Sequence, residues 1–209
     1  MKDLSGIKNI IFDLGGVLLN LDPGKTLRAF KELGLSDIVE ENVWSFRHEV
    51  FILMEKGLIA DEDFIAGVKQ LLPVGVTDKQ IEEAWTAMLL DIPEVRVRIV
   101  LNLKKHFNTY LFSNTNTIHV KKFQDDFRKA HHTELCSLFV KYYYSNEIKL
   151  RKPDIQSFAK VIQLARVQPQ ETLFIDDSEE NIKAAQQAGL KTIWLQPNMK
   201  LEELFVEFL

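Results

Sequence analysis

Four short polar motifs, each following an apolar run in the chain, are the parts of this sequence whose residue types could do chemistry. In chain order they are Asp13, the run Ser113 to Asn116, the run Lys149 to Pro153, and the pair Asp176 and Asp177. An apolar run that stops at a polar residue is typical of a buried strand, and in a doubly wound sheet ligands bind just beyond the carboxyl ends of the strands. We therefore expect the four motifs to line one crevice.

Asp13 is the best candidate catalytic residue among them. It follows Ile10 to Phe12 and stands just before Gly15 and Gly16, so a carboxylate is placed where a strand stops and glycines let the backbone turn. The alternative is an aspartate that hydrogen-bonds only its own turn. The three later motifs favour the catalytic interpretation.

The acidic pair predicts a metal site. Asp176 and Asp177 follow the apolar run 173–175, and two adjacent unpaired carboxylates at the end of a buried strand would repel each other without a cation. Simpler interpretations stay open for the motifs, because helix caps, helix N-terminal charges and surface cations are common. They would make Ser113 a cap, Lys152 an exposed cation and the pair the first charges of the next helix.

These motifs need a parallel sheet to bring them together. Five short segments rich in β-branched or aromatic residues are predicted as strands: 7–12, 109–112, 139–144, 172–175 and 191–195. Helical patterns separate the later strands, and this alternation predicts right-handed crossovers between parallel strands. The predicted fold class is therefore α/β, a doubly wound parallel sheet.

Several helices of this layer are predicted in detail. Segment 95–103 alternates like a strand, but Pro93 before it and basic residues after it favour a helix. Segment 155–166 should pack one face on the sheet, formed by Ile155, Phe158, Ala159 and Ile162. Ser178 is predicted to cap the next helix, which Gly189 should end.

A long insertion follows the first strand. About 75 residues without a convincing strand are far too many for a plain loop in a compact domain. Apolar groups separated by Gly34 and Gly57, followed by a capping box from Thr77 to Gln80, predict four helices. We therefore predict a core domain of residues 1–19 and 91–209 and a four-helix cap domain of residues 20–90.

The ordered set of motifs resembles the haloacid dehalogenase superfamily, whose members use an aspartate nucleophile, a Ser or Thr, a Lys and an acidic pair in this chain order. The resemblance spans nearly the whole chain, and the insertion is similar to the superfamily's helical cap on a Rossmann-like core. More narrowly, the run Phe12 to Val17 and the three later motifs resemble the bacterial α-D-glucose-1-phosphate phosphatase branch. The N-terminal phosphatase domain of soluble epoxide hydrolases is a more distant relative.

The resemblance implies a phosphatase that hydrolyses a small phosphorylated metabolite through an aspartyl-phosphate intermediate. Asp13 would be the nucleophile, and Ser113 and Lys152 would complete the catalytic set. Asn114 would bind substrate by donating to a phosphate oxygen. Lys152 would also reduce the repulsion between the nucleophile and the phosphate.

The resemblance also implies a Mg²⁺ cofactor. An anionic carboxylate cannot easily approach an anionic phosphate, so the site must supply positive charge. The metal ligands would be Asp13, the Gly15 carbonyl oxygen and the acidic pair, with Asp177 bound directly and Asp176 through water. All of these are hard oxygen ligands, which Mg²⁺ requires. Asn181 would either orient the pair or face solvent.

The cap is expected to select the substrate, because it closes over the crevice and contributes side chains near its helix ends. Arg47 and His48 are the predicted substrate-binding residues, and Glu55 and Lys56 are further polar candidates. The alternative for each is a side chain that faces water. The histidines at 119, 131 and 132 lack ligand spacing and are predicted to lie at the surface.

Gly15 departs from the superfamily pattern. Phosphatases of the superfamily usually carry a second aspartate at this position, which protonates the leaving oxygen and later deprotonates water. The backbone carbonyl of Gly15 is retained, but this proton shuttle is not. A sugar 1-phosphate releases a hemiacetal oxygen, a better leaving group than an ordinary alcohol, so such a sugar phosphate is the predicted substrate. Asp22 could substitute as the acid, or it could be an exposed hinge residue.

Two other functions remain open. Gly15 would also suit a metal-independent 2-haloacid dehalogenase, since halide needs no proton, although such enzymes tend not to keep two acids after the fourth strand. A catalytically weak domain that binds a phosphorylated ligand or a partner protein is the third possibility. The retained Asp13 argues against it.

The composition limits partners and compartment. The chain has 209 residues and a formal charge of -4, and no concentrated basic face of the kind that binds nucleic acid. Cys136 is the single cysteine, so neither an internal disulfide nor a cysteine metal cluster is expected. No run approaches the roughly 18 apolar residues needed to cross a bilayer. We expect a cytoplasmic, soluble enzyme whose partner is a small phosphorylated substrate, with a monomer and a dimer both open.

Overall fold

A computed structural model describes residues 4–35 and 49–208. It contains a five-stranded sheet in which all neighbouring strands are parallel, in the order β3-β2-β1-β4-β5. The strands are β1 (Asn9–Phe12), β2 (Asn108–Ser113), β3 (Lys141–Tyr144), β4 (Thr172–Asp176) and β5 (Lys191–Trp194). The predicted doubly wound parallel sheet is confirmed. Its strand order reverses at β1, so the β1–β4 boundary is the point where such folds bind ligands.

Ten α-helices connect and cover these strands within the described ranges. They are α1 (Pro23–Glu32), α2 (Glu49–Glu55), α3 (Asp61–Lys69), α4 (Asp78–Thr86), α5 (Glu94–Leu103), α6 (Thr117–His131), α7 (Ser145–Ile148), α8 (Ile155–Ala165), α9 (Glu179–Gln187) and α10 (Leu201–Leu204). Segment 95–103 is thus helical, as predicted. Ser178 caps α9 by accepting from the Asn181 amide, and the chain turns at Gly189 with a φ of 86°.

The sheet is covered on both faces, which follows from the period-two alternation of its strands. Ile10 and Phe12 of β1 point into a core that includes the apolar sides of α5 and α6. Ile11 points the other way, into a second core completed by α8 and α9. This three-layer packing holds the carboxyl ends of the strands at one edge.

The predicted buried face of α8 is wrong in part. Ile155 is 44% exposed and Ala159 is also exposed, whereas Phe158 and Val161 are buried against the sheet. Ile155 is the first residue of the helix, so its side chain lies beyond the end of the apolar stripe that starts at Phe158. The third strand likewise begins at Lys141 rather than at 139, because residues 135–138 form a short 3₁₀ helix before it.

The segment between β1 and α5 carries α1 to α4. These helices share a separate hydrophobic cluster in which the rings of Phe51, Phe64 and Trp85 pack at centroid distances of 5.1 to 5.5 Å. Thr77 and Gln80 form the predicted capping box at the start of α4. An antiparallel bridge pairs residue 21 with residue 89 where the chain leaves and re-enters the sheet layer. The assignment of 20–90 as an independent cap domain stays a prediction.

The predicted substrate-binding residues Arg47 and His48 lie outside the described residues. Within the described ranges, no helix is both long and apolar enough to cross a membrane.

Candidate active site

The predicted catalytic and metal-binding residues meet at the carboxyl edge of the sheet. A cavity of about 260 Å³ opens there between the sheet layer and the inserted helices. The predicted residues that line it are Asp13, Gly15, Ser113, Asn114, Lys152 and Asp177. Asp176 is fully buried directly behind them, at the end of β4. The expectation of one crevice is therefore met.

Asp13 extends β1 by one residue and turns into a tight loop. Its amide donates to the Ile175 carbonyl at 2.9 Å, which continues the β1–β4 pairing up to Asp13. Gly16 then adopts a φ of 74°, in the left-handed region that favours glycine. A Cβ at Gly16 would lie 2.1 Å from Oδ2 of Asp177, so the absence of a side chain lets the two loops meet.

Lys152 is a buried cation at the centre of the site. Its side chain is 1% exposed, and its Nζ lies 2.7 Å from Asp13 Oδ1 and 2.7 Å from Asp176 Oδ2. The ammonium also donates to the Phe112 carbonyl at 3.1 Å. The alternative of a surface cation is therefore wrong. Burial of the charge is compensated by two carboxylates, as a buried lysine requires.

The two carboxylates of the acidic pair have different surroundings: that of Asp176 is hydrogen-bonded to protein groups, and that of Asp177 faces the cavity. Asp176 Oδ1 accepts from the Ser178 amide at 2.8 Å and from Asn181 Nδ2 at 2.9 Å, while Oδ2 accepts from Lys152. Asp177 is the exposed member and lines the cavity. Asn181 thus orients Asp176, the first of its two predicted alternatives.

The charge balance of the cluster fits a divalent cation. One carboxylate oxygen from each of Asp13, Asp176 and Asp177 lies within 4.8 Å of the other two. Three carboxylates against the single Lys152 ammonium leave two uncompensated negative charges. Oxygen donors without sulfur or nitrogen favour Mg²⁺ over softer metals.

The pKa shifts reflect the same imbalance. Burial raises the pKa of Asp13 to about 7, against the attraction of the Lys152 ammonium and with a further increase from Asp176. Burial also raises the pKa of Asp177, and the neighbouring Asp176 carboxylate adds to it. For Lys152, burial acts to lower the pKa, but the two bonded carboxylates outweigh it and the pKa is raised. A bound cation would favour the ionised form of Asp13.

Ser113 and Asn114 continue β2 into the cavity. Ser113 is buried, but it does not cap α6: Asn116 does so by accepting from the His119 amide at 3.0 Å. Asn114 holds the backbone of Lys152 from both sides, since its Nδ2 donates to the Lys152 carbonyl and its Oδ1 accepts from the Lys152 amide, each at 2.9 Å. Asn114 therefore positions the lysine in addition to facing the cavity.

The space beside Gly15 is filled by an apolar side chain. A Cβ at Gly15 would lie 2.6 Å from Leu21 Cδ1, so Leu21 occupies the direction in which a second aspartate would project. Asp22, the proposed substitute acid, does not line the cavity and accepts a hydrogen bond from Arg28 at 3.3 Å. The described carboxylate that lines the cavity besides Asp13 and Asp177 is that of Glu55, which comes from the inserted helices and is paired with Arg151.

The prediction that the three histidines lie at the surface is wrong for two of them. His119 is 7% exposed and lines the cavity, where its ring stacks on Trp85 with the centroids 4.6 Å apart. His131 packs on Phe127 and bonds to the Ile92 carbonyl at 2.9 Å, away from the cavity. A histidine one turn into the helix after β2 is the signal that could have placed His119 at the edge of the crevice.

Glu55 is the one polar cap candidate of the described residues that reaches the cavity; Lys56 does not line it. The Glu55 carboxylate pairs with Nη2 of Arg151 at 2.9 Å, next to Lys152 in the chain. Burial raises the pKa of Glu55, while the Arg151 charge acts to lower it. The inserted helices therefore contribute a carboxylate to a wall that is otherwise largely apolar.

Comparison with known proteins agrees with this geometry. The model of the haloacid dehalogenase-like hydrolase family matches residues 7–189. A D-ribitol-5-phosphate phosphatase from Bacteroides thetaiotaomicron is 29% identical over 186 residues, which cover 89% of this chain and 90% of that protein. A sesquiterpene phosphatase from Aspergillus oryzae is 28% identical, over 92% of this chain and 91% of its own.

A solved structure extends the likeness to three dimensions. It is a haloacid dehalogenase family enzyme from Bacteroides thetaiotaomicron, a variant with one aspartate replaced by alanine, in complex with magnesium and inorganic phosphate. It superposes with a TM-score of 0.89 at 37% identity and covers 95% of this chain and 98% of its own. The narrower resemblance to the glucose-1-phosphate phosphatase branch stays a prediction. The family match and this structural similarity extend over most of the sequence, and the chain belongs to the haloacid dehalogenase-like hydrolase family.

Proposed function

We propose that this hydrolase is a Mg²⁺-dependent phosphatase that acts on a small phosphorylated metabolite, a sugar phosphate such as a sugar 1-phosphate. The observation that carries the proposal is the arrangement of three carboxylates around one buried ammonium at the sheet edge. The phosphatase relatives, and the magnesium and phosphate bound by the similar enzyme, support it.

Asp13 is the proposed nucleophile. Its carboxylate oxygen attacks phosphorus, the bond from phosphorus to the ester oxygen breaks, and water then hydrolyses the aspartyl phosphate to regenerate the carboxylate. Lys152, held against Asp13 at 2.7 Å, orients the nucleophile and offsets negative charge on the phosphoryl oxygens. Ser113 and Asn114 would donate to those oxygens from the end of β2.

Asp13, the Gly15 carbonyl oxygen and Asp177 would hold Mg²⁺ directly, with Asp176 acting through water. This division is supported by the bonding of Asp176, both of whose oxygens already accept from protein groups. The cation would neutralise charge on the nucleophile and on the phosphate. Asn181 keeps Asp176 in place for this role.

The leaving group carries the argument for a sugar 1-phosphate. General acid assistance is typically worth ~10²- to 10⁴-fold, or about 3 to 5 kcal/mol of barrier. With Leu21 beside Gly15, no described side chain supplies that proton at the expected place. A hemiacetal oxygen departs more readily without it than an alkoxide does.

Substrate selection is assigned to the segment 20–90. Arg47 and His48 stay predicted contacts, and Glu55 is supported by its place on the cavity wall. The predicted cap would close over the phosphate and limit access of water.

A metal-dependence assay tests the proposal against its rivals. Hydrolysis of p-nitrophenyl phosphate is measured with Mg²⁺, after EDTA, and after Mg²⁺ is restored. We expect loss of turnover in EDTA and recovery with the metal, because two negative charges of the cluster need compensation. Full turnover in EDTA would contradict a metal-dependent mechanism. Halide release from 2-chloropropionate would support the dehalogenase, and binding of phosphate esters without turnover would support a ligand-binding domain.

A further inference from the structure

His119 offers the cavity an atom that the proposed chemistry does not use. Its Nε2 lies 3.0 Å from the carbonyl oxygen of Trp85 in α4. A carbonyl oxygen only accepts hydrogen bonds, so Nε2 carries the proton and Nδ1 of the neutral ring has a free lone pair. The Trp85 carbonyl also accepts from the Thr26 hydroxyl at 3.2 Å, which fixes its position.

The imidazole is neutral at physiological pH. Burial lowers the pKa of His119 to about 4, and the backbone hydrogen bond offsets only part of this. Nδ1 forms no hydrogen bond with any group in the described part of the chain. It is also absent from the fully buried polar atoms there that lack a partner, so it is accessible from the cavity. Since the residue lines the cavity, Nδ1 is open to a ligand as a hydrogen-bond acceptor.

The surroundings of His119 make that acceptor selective. Much of the wall of the cavity that His119 lines is apolar, and its apolar residues include Leu14, Leu19, Leu21, Met88, Leu89 and Phe123. In such a wall a ligand donor finds few partners, and leaving it unpaired is costly. The other acceptor on the side of the inserted helices is the Glu55 carboxylate. These two acceptors match a ligand that bears hydroxyl groups, because a hydroxyl group can donate a hydrogen bond to each of them.

We propose that His119 is a specificity-determining residue whose Nδ1 accepts a hydrogen bond from a hydroxyl group of the substrate's leaving group. The enzyme would then prefer polyol or sugar phosphates to wholly apolar phosphate esters of similar length. This rests on the proposed phosphatase function. The two phosphatase relatives described above are named for a polyol phosphate and for sesquiterpenes, so similarity to them does not decide between the two substrate classes, and the proposal depends on the cavity residues.

The test compares kcat/KM for ribitol 5-phosphate and n-pentyl phosphate in the parent, His119→Phe and His119→Asn. Phenylalanine keeps a flat ring against Trp85 without an acceptor, and asparagine can present its side-chain oxygen close to the position of Nδ1. We expect His119→Phe to lower the ratio of the two kcat/KM values about 3- to 10-fold, mainly through KM, and His119→Asn to keep most of it. Loss of the bond to Trp85 affects both esters and cancels in the ratio.

His131→Phe is the matched control. It makes the same change on the same helix, at a ring that packs against Phe127 with the centroids 4.5 Å apart and lies outside the proposed catalytic cavity. Its ratio should equal that of the parent. A second measurement is independent of any variant's folding: removing hydroxyls one at a time from ribitol 5-phosphate should reveal one whose loss costs the parent several-fold.

The outcomes separate the two proposals. If the parent hydrolyses both esters but His119→Phe leaves their ratio unchanged, or if every hydroxyl is dispensable, the role of His119 is overturned and the phosphatase function stands. If the parent hydrolyses no phosphate ester with Mg²⁺, including p-nitrophenyl phosphate, the proposed function fails and this inference fails with it.

Discussion

Restoring an acid at Gly15 is the most direct test of how this enzyme handles its leaving group. Gly15 does not adopt a positive φ, so its backbone accepts a side chain. The obstacle is Leu21, whose Cδ1 would lie 2.6 Å from the new Cβ. That atom is the end of a flexible, half-buried side chain, so it can move. Gly15→Asp should therefore fold, and Gly15→Asn is the control of the same shape as aspartate that carries no acidic proton.

The expected magnitude follows from two opposing effects. A placed general acid is worth about 3 to 5 kcal/mol of barrier for a poor leaving group. Overfilling a packed region costs about 1 to 3 kcal/mol of folding stability, and the strain is relieved in part by moving the new carboxyl group away from its best position, which reduces the gain in rate. We expect Gly15→Asp alone to raise kcat/KM on a sugar 6-phosphate about 10-fold or more. The double variant with Leu21→Ala, which relieves the contact, should approach 100-fold.

The assay is a leaving-group series. Rates of p-nitrophenyl phosphate, glucose 1-phosphate and glucose 6-phosphate are compared in the parent, Gly15→Asp and Gly15→Asn. The parent should show rates that rise steeply as the leaving-group pKa falls, and the aspartate should flatten this dependence. Equal parental rates on the 1- and 6-phosphates would refute the reasoning, as would identical profiles for the aspartate and asparagine variants.

Three further predictions concern buried ionisable side chains. Asp13→Asn should abolish turnover in a folded protein because the nucleophile is removed, and mass spectrometry should detect a trapped metallofluoride or phosphoryl adduct in the parent alone. Lys152→Met should lower kcat about 10²-fold or more and destabilise the fold by about 3 to 5 kcal/mol, since Asp13 and Asp176 lose their buried partner. Ser113→Ala should lower kcat by a smaller factor. The control Lys160→Met, at an exposed lysine, should change neither kcat nor stability. Because the folded pKa of His119 is about 4 against 6.5 unfolded, its contribution to stability is present above pH 6.5 and is lost as pH falls towards 4. Urea unfolding at pH 7 and pH 5 should show the parent losing about 2 kcal/mol more than His119→Phe, and equal losses would contradict a neutral buried imidazole.

The chemical centre was predictable from sequence because its residues sit at strand ends. Parallel pairing in register brings the ends of β1, β2 and β4 to one edge, so Asp13, Ser113 and Asp176 had to become neighbours once the strands were identified. Lys152 follows β3 by a short helix and a loop, and its motif was sufficient to place it. Local pattern and topology together carried these assignments.

The cavity wall was less predictable, since it depends on contacts between segments far apart in sequence. His119 is covered by Trp85, 34 positions earlier, whose ring stacks on it and whose carbonyl oxygen accepts a hydrogen bond from its Nε2. Leu21 beside Gly15, and Glu55 paired with Arg151, are likewise results of how the inserted helices lie on the sheet layer. Periodicity within a segment gives the buried face of a helix but not the partner that covers it.

The contact between α4 and α6 has a consequence for engineering. Ile118 of α6 belongs to the hydrophobic cluster of the inserted helices, and the Trp85 indole donates to Asn116 at 3.4 Å. Segment 20–90 is therefore not a cassette that can be exchanged by itself between relatives. A chimera that takes this segment from a donor with another specificity should also take residues 116–119. Otherwise the graft would join two surfaces that evolved against different partners.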